Sequence, residues 1–441
     1  MRDILLTLTV IGSLPFILKR PWLGALMWVW ISVMNPHRLT WGFAYDMPFG
    51  AMVAIATLLS LVFSKEKLKF PVTPLTFVFM LFVFWMSVTT LFALQPDQVW
   101  APWEKVMKTM LMTMVVIAAL HKREHIDWLV WVLVVSLGYY GVKGGFFTIR
   151  WGGGEHVYGP TGSFIEENNA LAVAICMLIP LVWYVRLRAT DRRVKHGALG
   201  AMCLCAVAVF GSQSRGALLT IVAMTGFLWL KSRQKLGLLL VVVLMAPMIL
   251  SFMPEKWHGR MSTIQTYDED ESAMGRINAW QMAFNLAKDR PLVGGGFEIY
   301  DPLIFARYAP VPDDVHAAHS IYFAALGEHG FVGLGLFLVL GVLTWRTSSW
   351  IAKSVKGRSD LRWAADLAQM CQVSIVGYAV GGGLLSLLYF DLPYYIMGLL
   401  VMTRRYIQSV LADEASVARR VPGSKTEPVA GSLATNSSET A

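Results

Sequence analysis

Long apolar stretches separated by short polar ones organise this chain from end to end. Runs of predominantly apolar residues lie near 4–18, 21–35, 49–64, 74–94, 105–120, 125–142, 168–185, 197–212, 215–231, 236–252, 319–345, 365–390 and 394–407. A helix of about 20 apolar residues crosses the roughly 30 Å of hydrocarbon in a bilayer. The pattern therefore predicts an all-α polytopic membrane protein of twelve or thirteen transmembrane helices. Thirteen follows from the runs taken literally, and twelve if a terminal run only skims the interface.

Loops rich in Lys and Arg follow every second run: Lys19-Arg20, Lys65 to Lys69, Lys122-Arg123, Arg186 to Lys195, Lys231 to Lys235, Arg346 to Arg362, and Arg404-Arg405 onward. Positive charge marks the cytoplasmic side of short loops. The loops 36–48, 95–104, 143–167, 212–215, 253–318 and the Phe390-Asp391-Leu392-Pro393 turn then fall on the opposite side. Met1-Arg2-Asp3 and the run after it read as an uncleaved first span, because no small-residue cleavage site precedes Lys19-Arg20.

The longest outer loop, 253–318, is net acidic and contains Asp268-Glu269-Asp270-Glu271. That run reads as a solvated charge cluster rather than a cation site, since no apolar frame fixes it. From about Met274 to Lys288 the loop shows helical spacing, with Ile277, Trp280 and Phe284 on one face and Arg276, Asn278 and Lys288 away from it. Such a helix is expected to lie along the bilayer surface with its Trp at headgroup depth. Pro291 and Gly294 to Gly296 stop it. Residues 1–411 form one polytopic domain, with 253–318 carrying part of a site, and 412–441, rich in Ala, Ser, Thr and Glu, is expected to be a disordered cytoplasmic tail.

Composition narrows the class further. Of 441 residues 56% are hydrophobic and 15% charged, against about 25% charged in a typical soluble domain. The formal charge of +9 sits in the short loops, so it expresses topology and not nucleic-acid binding. Cys176, Cys203, Cys205 and Cys371 lie in apolar segments without CxxC or His at ligand spacing, and no disulfide, metal site or cofactor is expected.

Against this background a few polar side chains stand out on the outer side. Arg215, in Ser212-Gln213-Ser214-Arg215-Gly216, is a lone cation where positive-inside bias predicts few. Small residues, hydroxyls and the N–H groups opening the next helix suit an oxyanion. Arg276 follows Gly275 at the start of the surface helix, and two guanidinium groups flanking one cleft can grip a diphosphate in bidentate fashion. His319 begins the next apolar run, with Tyr322 three residues on and expected on the same helix face. Its ordinary pKa of about 6.5 lets it take a proton from a hydroxyl near neutral pH. Glu328 lies deeper, followed by Gly330 and Gly333; a carboxylate at that depth must be paired or wetted, and it is placed as a brace for a helix broken at the glycines.

Taken in order, Gly162-Ser163-Phe164 to Asn169-Ala170, Ser214-Arg215-Gly216, Gly275-Arg276 with Trp280, Pro291, Gly294 to Gly296, His319-Ser320-x-Tyr322 and Glu328-x-Gly330-x-x-Gly333 resemble the O-antigen ligase and O-antigen polymerase superfamily. The likeness covers roughly residues 160–345. It implies a metal-independent, inverting glycosyltransfer from an undecaprenyl-diphosphate-linked glycan at the periplasmic face of a bacterial inner membrane. Arg215 and Arg276 would neutralise the diphosphate leaving group, His319 would activate the acceptor hydroxyl, and Ser214, Asn169, Trp280 and Tyr322 would contact substrate. Ser320 departs from the Asn that often follows the His in that family.

The acceptor implied is lipid A-core, as in an O-antigen ligase, with a protein Ser or Thr or a second repeat unit as alternatives. A lipid-linked sugar transporter or flippase also has about twelve spans. It should carry ionisable residues along the middle of several of them, whereas here the polar outliers gather at one face.

Overall fold

A computed structural model of the chain describes residues 1–63, 70–232, 234–262 and 271–420. Their regular structure is helical, with no strand among the described residues. The helices are α1 (Arg2–Lys19), α2 (Pro21–Met34), α3 (Phe49–Phe63), α4 (Pro74–Leu91), α5 (Trp100–Ala119), α6 (Arg123–Arg150), α7 (Asn168–Arg188), α8 (Arg192–Gly211), α9 (Arg215–Lys231) and α10 (Lys235–Phe252). After them come α11 (Glu255–Ser262), α12 (Glu271–Asp289), α13 (Pro302–Tyr308), α14 (Ile321–Ser354), α15 (Arg362–Gly382) and α16 (Asp391–Arg420). By length and apolar character five of these can cross a membrane outright: α4, α6, α7, α8 and α14. The α2 and α3 helices are apolar but shorter.

Local chemistry sets several starts. Thr73 and Thr76 form a capping box ahead of Pro74 at the head of α4, Asp191 accepts from Arg193 N–H at 2.7 Å before α8, and Ser214 accepts from Ala217 N–H at 3.2 Å before α9. In the interior, α7 is buried along most of its length and packs against α6, α8, α9 and α15. Small residues allow the closest approaches: a Cβ on Gly145 of α6 would lie 2.3 Å from the Leu204 carbonyl of α8, so only glycine fits.

The connections 36–48, 92–99, 151–167, 212–214, 253–320 and 383–390 touch one another at one end of the helices. Leu94 N–H donates to Gly295 O at 2.8 Å, Trp257 Nε1 to Phe210 O at 3.1 Å, and Gln213 Nε2 to Gly153 O at 3.0 Å.

The α14 helix is broken at Gly330, whose φ of 68° and ψ of −172° are not helical. A break frees backbone groups that an apolar setting does not hydrate, at roughly 2–7 kcal/mol for each one left unpaired. Here four of them find partners outside the helix. The turn after α12 supplies Gly295 N–H to Gly327 O at 2.8 Å and Gly296 N–H to Glu328 O at 2.9 Å, while Phe331 N–H donates to Pro291 O at 2.8 Å. Trp85 Nε1 of α4 donates to His329 O at 3.1 Å. Side chains lock the joint: His329 has Thr89 Oγ1 2.7 Å from Nδ1 and Tyr389 OH 2.6 Å from Nε2, and Tyr389 donates to the Glu328 carboxylate. Gly333 lies just beyond, where a Cβ would meet His329 Cβ at 2.2 Å.

Several sequence expectations are corrected. The α6 helix runs to Arg150, so the loop expected from 143 starts at 151. The apolar stretch 365–390 is helical only to Gly382, and the turn expected at Phe390–Pro393 is the first turn of α16, the real connection being 383–390. Helix α16 continues to Arg420, past the point where a disordered tail was expected to begin at 412; 421–441 lie outside the described residues, as do Lys65 to Lys69 and Asp268 to Asp270. In α12 the buried face is Gly275, Asn278, Ala279, Met282 and Leu286, and Phe284 is exposed. The neighbour of α12 is a polar loop with carbonyls to satisfy, so Asn278 turns inward and donates to Val311 O at 2.8 Å and Asp314 O at 2.9 Å.

The docked break generates a prediction. At Gly330 a Cβ would lie 2.4 Å from Leu292 O, and at Gly294 (φ 60°) 2.5 Å from Gly327 O. Gly330→Ala and Gly294→Ala should each destabilise the protein by more than about 1 kcal/mol, read as a lower melting temperature in detergent. Gly335→Ala, with open space around its Cα, should melt with the parent, and equal melting of all three variants would refute the account.

Candidate functional site

His319 sits in the last step of the 253–320 connection, immediately before α14. The stretch leading to it is held by α12: Trp280 Nε1 donates to Ala318 O at 2.7 Å, Asn278 binds the carbonyls of 311 and 314, and a Cβ on Gly275 would meet the His316 ring at 2.8 Å. The His319 backbone has φ 44°, a left-handed conformation uncommon outside glycine and often found where function constrains the chain. Because of it His319 lies outside α14, whose N-cap is Ser320. The expectation that His319 and Tyr322 share one helix face is therefore corrected.

Four other elements meet this residue. Ser386 of the 383–390 loop places its Oγ 3.3 Å from His319 Nδ1. Arg276 from α12, Glu167 from the start of α7 and His316 all lie within electrostatic reach. Burial pulls the imidazole below its ordinary pKa, the Arg276 guanidinium adds to that and His316 slightly more, while Glu167 opposes. The ring is consequently neutral at pH 7, the state in which an imidazole accepts a proton.

Arg215 is the first residue of α9, and that helix start meets the same 383–390 loop, since a Cβ on Gly216 would lie 3.6 Å from Leu384. The turn before it is tied to the head of α7: Asn168 Nδ2 donates to Ser212 O at 2.8 Å and His156 Nδ1 to the same carbonyl at 3.3 Å. Helices α7, α9 and α14 thus direct their N-termini at one locality. Each N-terminus carries unpaired N–H groups and about half a positive charge. With the Arg276 guanidinium within electrostatic reach of His319, the arrangement suits an anion.

Not every residue singled out in the sequence touches this centre in the way expected. Ser214 caps α9 with its hydroxyl oxygen. Asn168, the neighbour of Asn169, makes the bridge to Ser212. Trp280 stacks on Phe323 at 5.0 Å with an interplanar angle of 7°, so it packs against α14. Tyr322 donates to Ala379 O at 2.9 Å and lines an apolar cleft of about 260 Å³ with Phe337, Tyr378 and Tyr394, between α14, α15 and α16. Glu328, Gly330 and Gly333 belong to the helix break. Sequence reasoning missed Ser386, Glu167, Asn168, His329 and Tyr389. The Glu166-Glu167-Asn168-Asn169 run pointed toward two of them, whereas Ser386 and Tyr389 sit in an apolar stretch without any local signal.

Comparison with known families divides the chain. Residues 1–190 match a family of unknown function (DUF5935), and residues 200–338 match the family described as O-Antigen ligase. No curated protein matches the chain. The second match contains Arg215, Arg276 and His319, so that this part of the chain is similar to the O-antigen ligase family, and the long apolar helices make this a multi-pass membrane protein.

Proposed function

We propose that the protein is a glycosyltransferase of the O-antigen ligase type, moving a glycan from undecaprenyl diphosphate to a hydroxyl acceptor, lipid A-core in the first instance. The observation that carries this reading is the meeting of a neutral, part-buried imidazole with Arg276, the Arg215 helix start and two further helix N-termini. Beside it, the apolar cleft lined by Tyr322 offers a lipid tail a place next to a charged headgroup.

In this reading Nδ1–H of His319 donates to Ser386, leaving the Nε2 lone pair to take the acceptor's proton. The acceptor oxygen bonds to the anomeric carbon from one face as the bond from that carbon to the phosphate oxygen breaks on the other, with inversion. Charge developing on the departing diphosphate is met by Arg215, Arg276 and the N–H groups of the helix starts, which are in place before reaction. The step runs without a metal, so EDTA leaves it unaffected. Helices α1–α10 and α14–α16 would cross the membrane, with the His319 end facing the periplasm and the Lys- and Arg-rich connections the cytoplasm.

The expected outcomes are specific. His319→Ala should retain donor binding and lose transfer in a reconstituted assay; normal transfer would remove the residue from the chemistry. Arg215→Lys should lower turnover at least about tenfold, because the ammonium lacks the bidentate fork although removal of a whole donor costs about 10²–10³. For pH, a cation near His319 disfavours its charged form, so the acidic limb of the rate profile should fall below about 6.5. Arg276→Met removes that repulsion and should move the limb upward, whereas an unmoved limb would show that another group titrates.

A further inference from the structure

The 383–390 loop that holds His319 through Ser386 ends at Phe390, and Phe390 and Asp391 line a second cavity, of about 480 Å³. That volume falls within the roughly 300–1,000 Å³ of small-molecule sites. Its other walls are the end of α2, the 36–48 connection, the start of α5 and the turn at 162–165, all from the part of the chain matched to the family of unknown function. One wall is clamped by the first helix: Asp3 Oδ1 accepts from Gly42 N–H at 3.0 Å and Ala44 N–H at 3.2 Å.

The charges in this cavity are unevenly paired. Lys108 is neutralised by Glu104 at 2.5 Å. Arg38 lies over the Tyr45 ring at 4.5 Å, and its nearest carboxylate, Asp46, is 3.4 Å away with a side chain 87% exposed, longer than the 2.7–2.9 Å or so of a charge-assisted bond. Lys105 has no carboxylate within ion-pair distance among the described residues. Its ammonium lies 3.4 Å from Gly162 O and 4.5 Å from the Phe164 ring centroid, with Asp391 within electrostatic reach but held by the Ser32 hydroxyl. Both cations close on the same turn, since a Cβ at Gly162 would lie 3.8 Å from Arg38 Nη2. The nearby Glu166 carboxylate faces the turn's backbone, accepting from Gly162 N–H at 2.7 Å.

We propose that Arg38 and Lys105 form an oxyanion subsite for a saccharide bearing a carboxylate or a phosphate. The inference rests on the transferase reading only in taking the ligand to be a sugar. Both cations are fixed on aromatic rings, which leaves their polar faces aimed into the cavity without a strong internal partner, and a guanidinium beside an ammonium grips a planar or tetrahedral oxyanion alike. The cavity and His319 share the 383–390 loop, Phe390 lining the one and Ser386 approaching the other.

The test is binding of glucuronate, glucose 1-phosphate, glucose and inorganic phosphate to the purified full chain in neutral detergent. Glucuronate and glucose 1-phosphate should bind at least about tenfold tighter than glucose and than free phosphate. Lys105→Gln, which keeps the stem on Phe164, and Arg38→Gln should each weaken both by about tenfold or more, while Lys105→Arg should keep most of the affinity. Arg215→Ala should leave this binding intact. Equal binding of glucose, free phosphate as strong as the sugar phosphate, unchanged affinity in both Gln variants, or loss in Arg215→Ala would each overturn the proposal. No transfer step is measured, so failure of His319 as the base would leave this result standing.

Discussion

The broken α14 helix docked on the Gly294–Gly296 turn is the constraint on which the site depends. Interrupting a helix in apolar surroundings is costly unless every freed N–H and C=O is met, and here the partners come from the end of α12, from Trp85 and from the Pro291 carbonyl. The break thereby fastens α12 to α14. Since α12 carries Arg276 at one end and the stopping turn at the other, the docking fixes where that arginine stands relative to His319.

The same joint reaches the other side of the centre. Tyr389 binds both Glu328 and His329 at the break, and three residues earlier in its loop Ser386 approaches His319. The imidazole is therefore held from two directions, through α12 and through the 383–390 loop, and both anchor at one place in α14. Buried networks of this kind are stable when every member is satisfied, which is the case for the polar atoms of Glu328, His329 and Tyr389 described above.

Much of the helical architecture was legible because apolar run length is a local property. The positions of α4 and α7 follow from it within a few residues, as does the start of α14, which runs nine residues past the expected 345 to Ser354, and Gly330 announces an interruption. Long-range pairings were not legible, since nothing in Ser386-Leu387-Leu388-Tyr389 distinguishes it from span interior. The face of α12 was misjudged for a related reason: periodicity assumes an apolar partner, and Asn278 turns inward because its partner is a loop of backbone carbonyls. Arg215, Arg276 and His319 were picked out individually as polar exceptions, and the contacts that bring their elements together are not encoded by spacing alone.

The convergence of three helix N-termini has a further consequence. Backbone dipoles and guanidinium groups keep their positive character at every physiological pH, whereas the imidazole among them gains or loses a proton. Attraction for an anion and readiness to remove a proton thus reside in separate groups with separate dependences on acidity. Altering the surroundings of His319 would therefore shift the acidity at which its ring is neutral without changing the positive character of the helix starts around it.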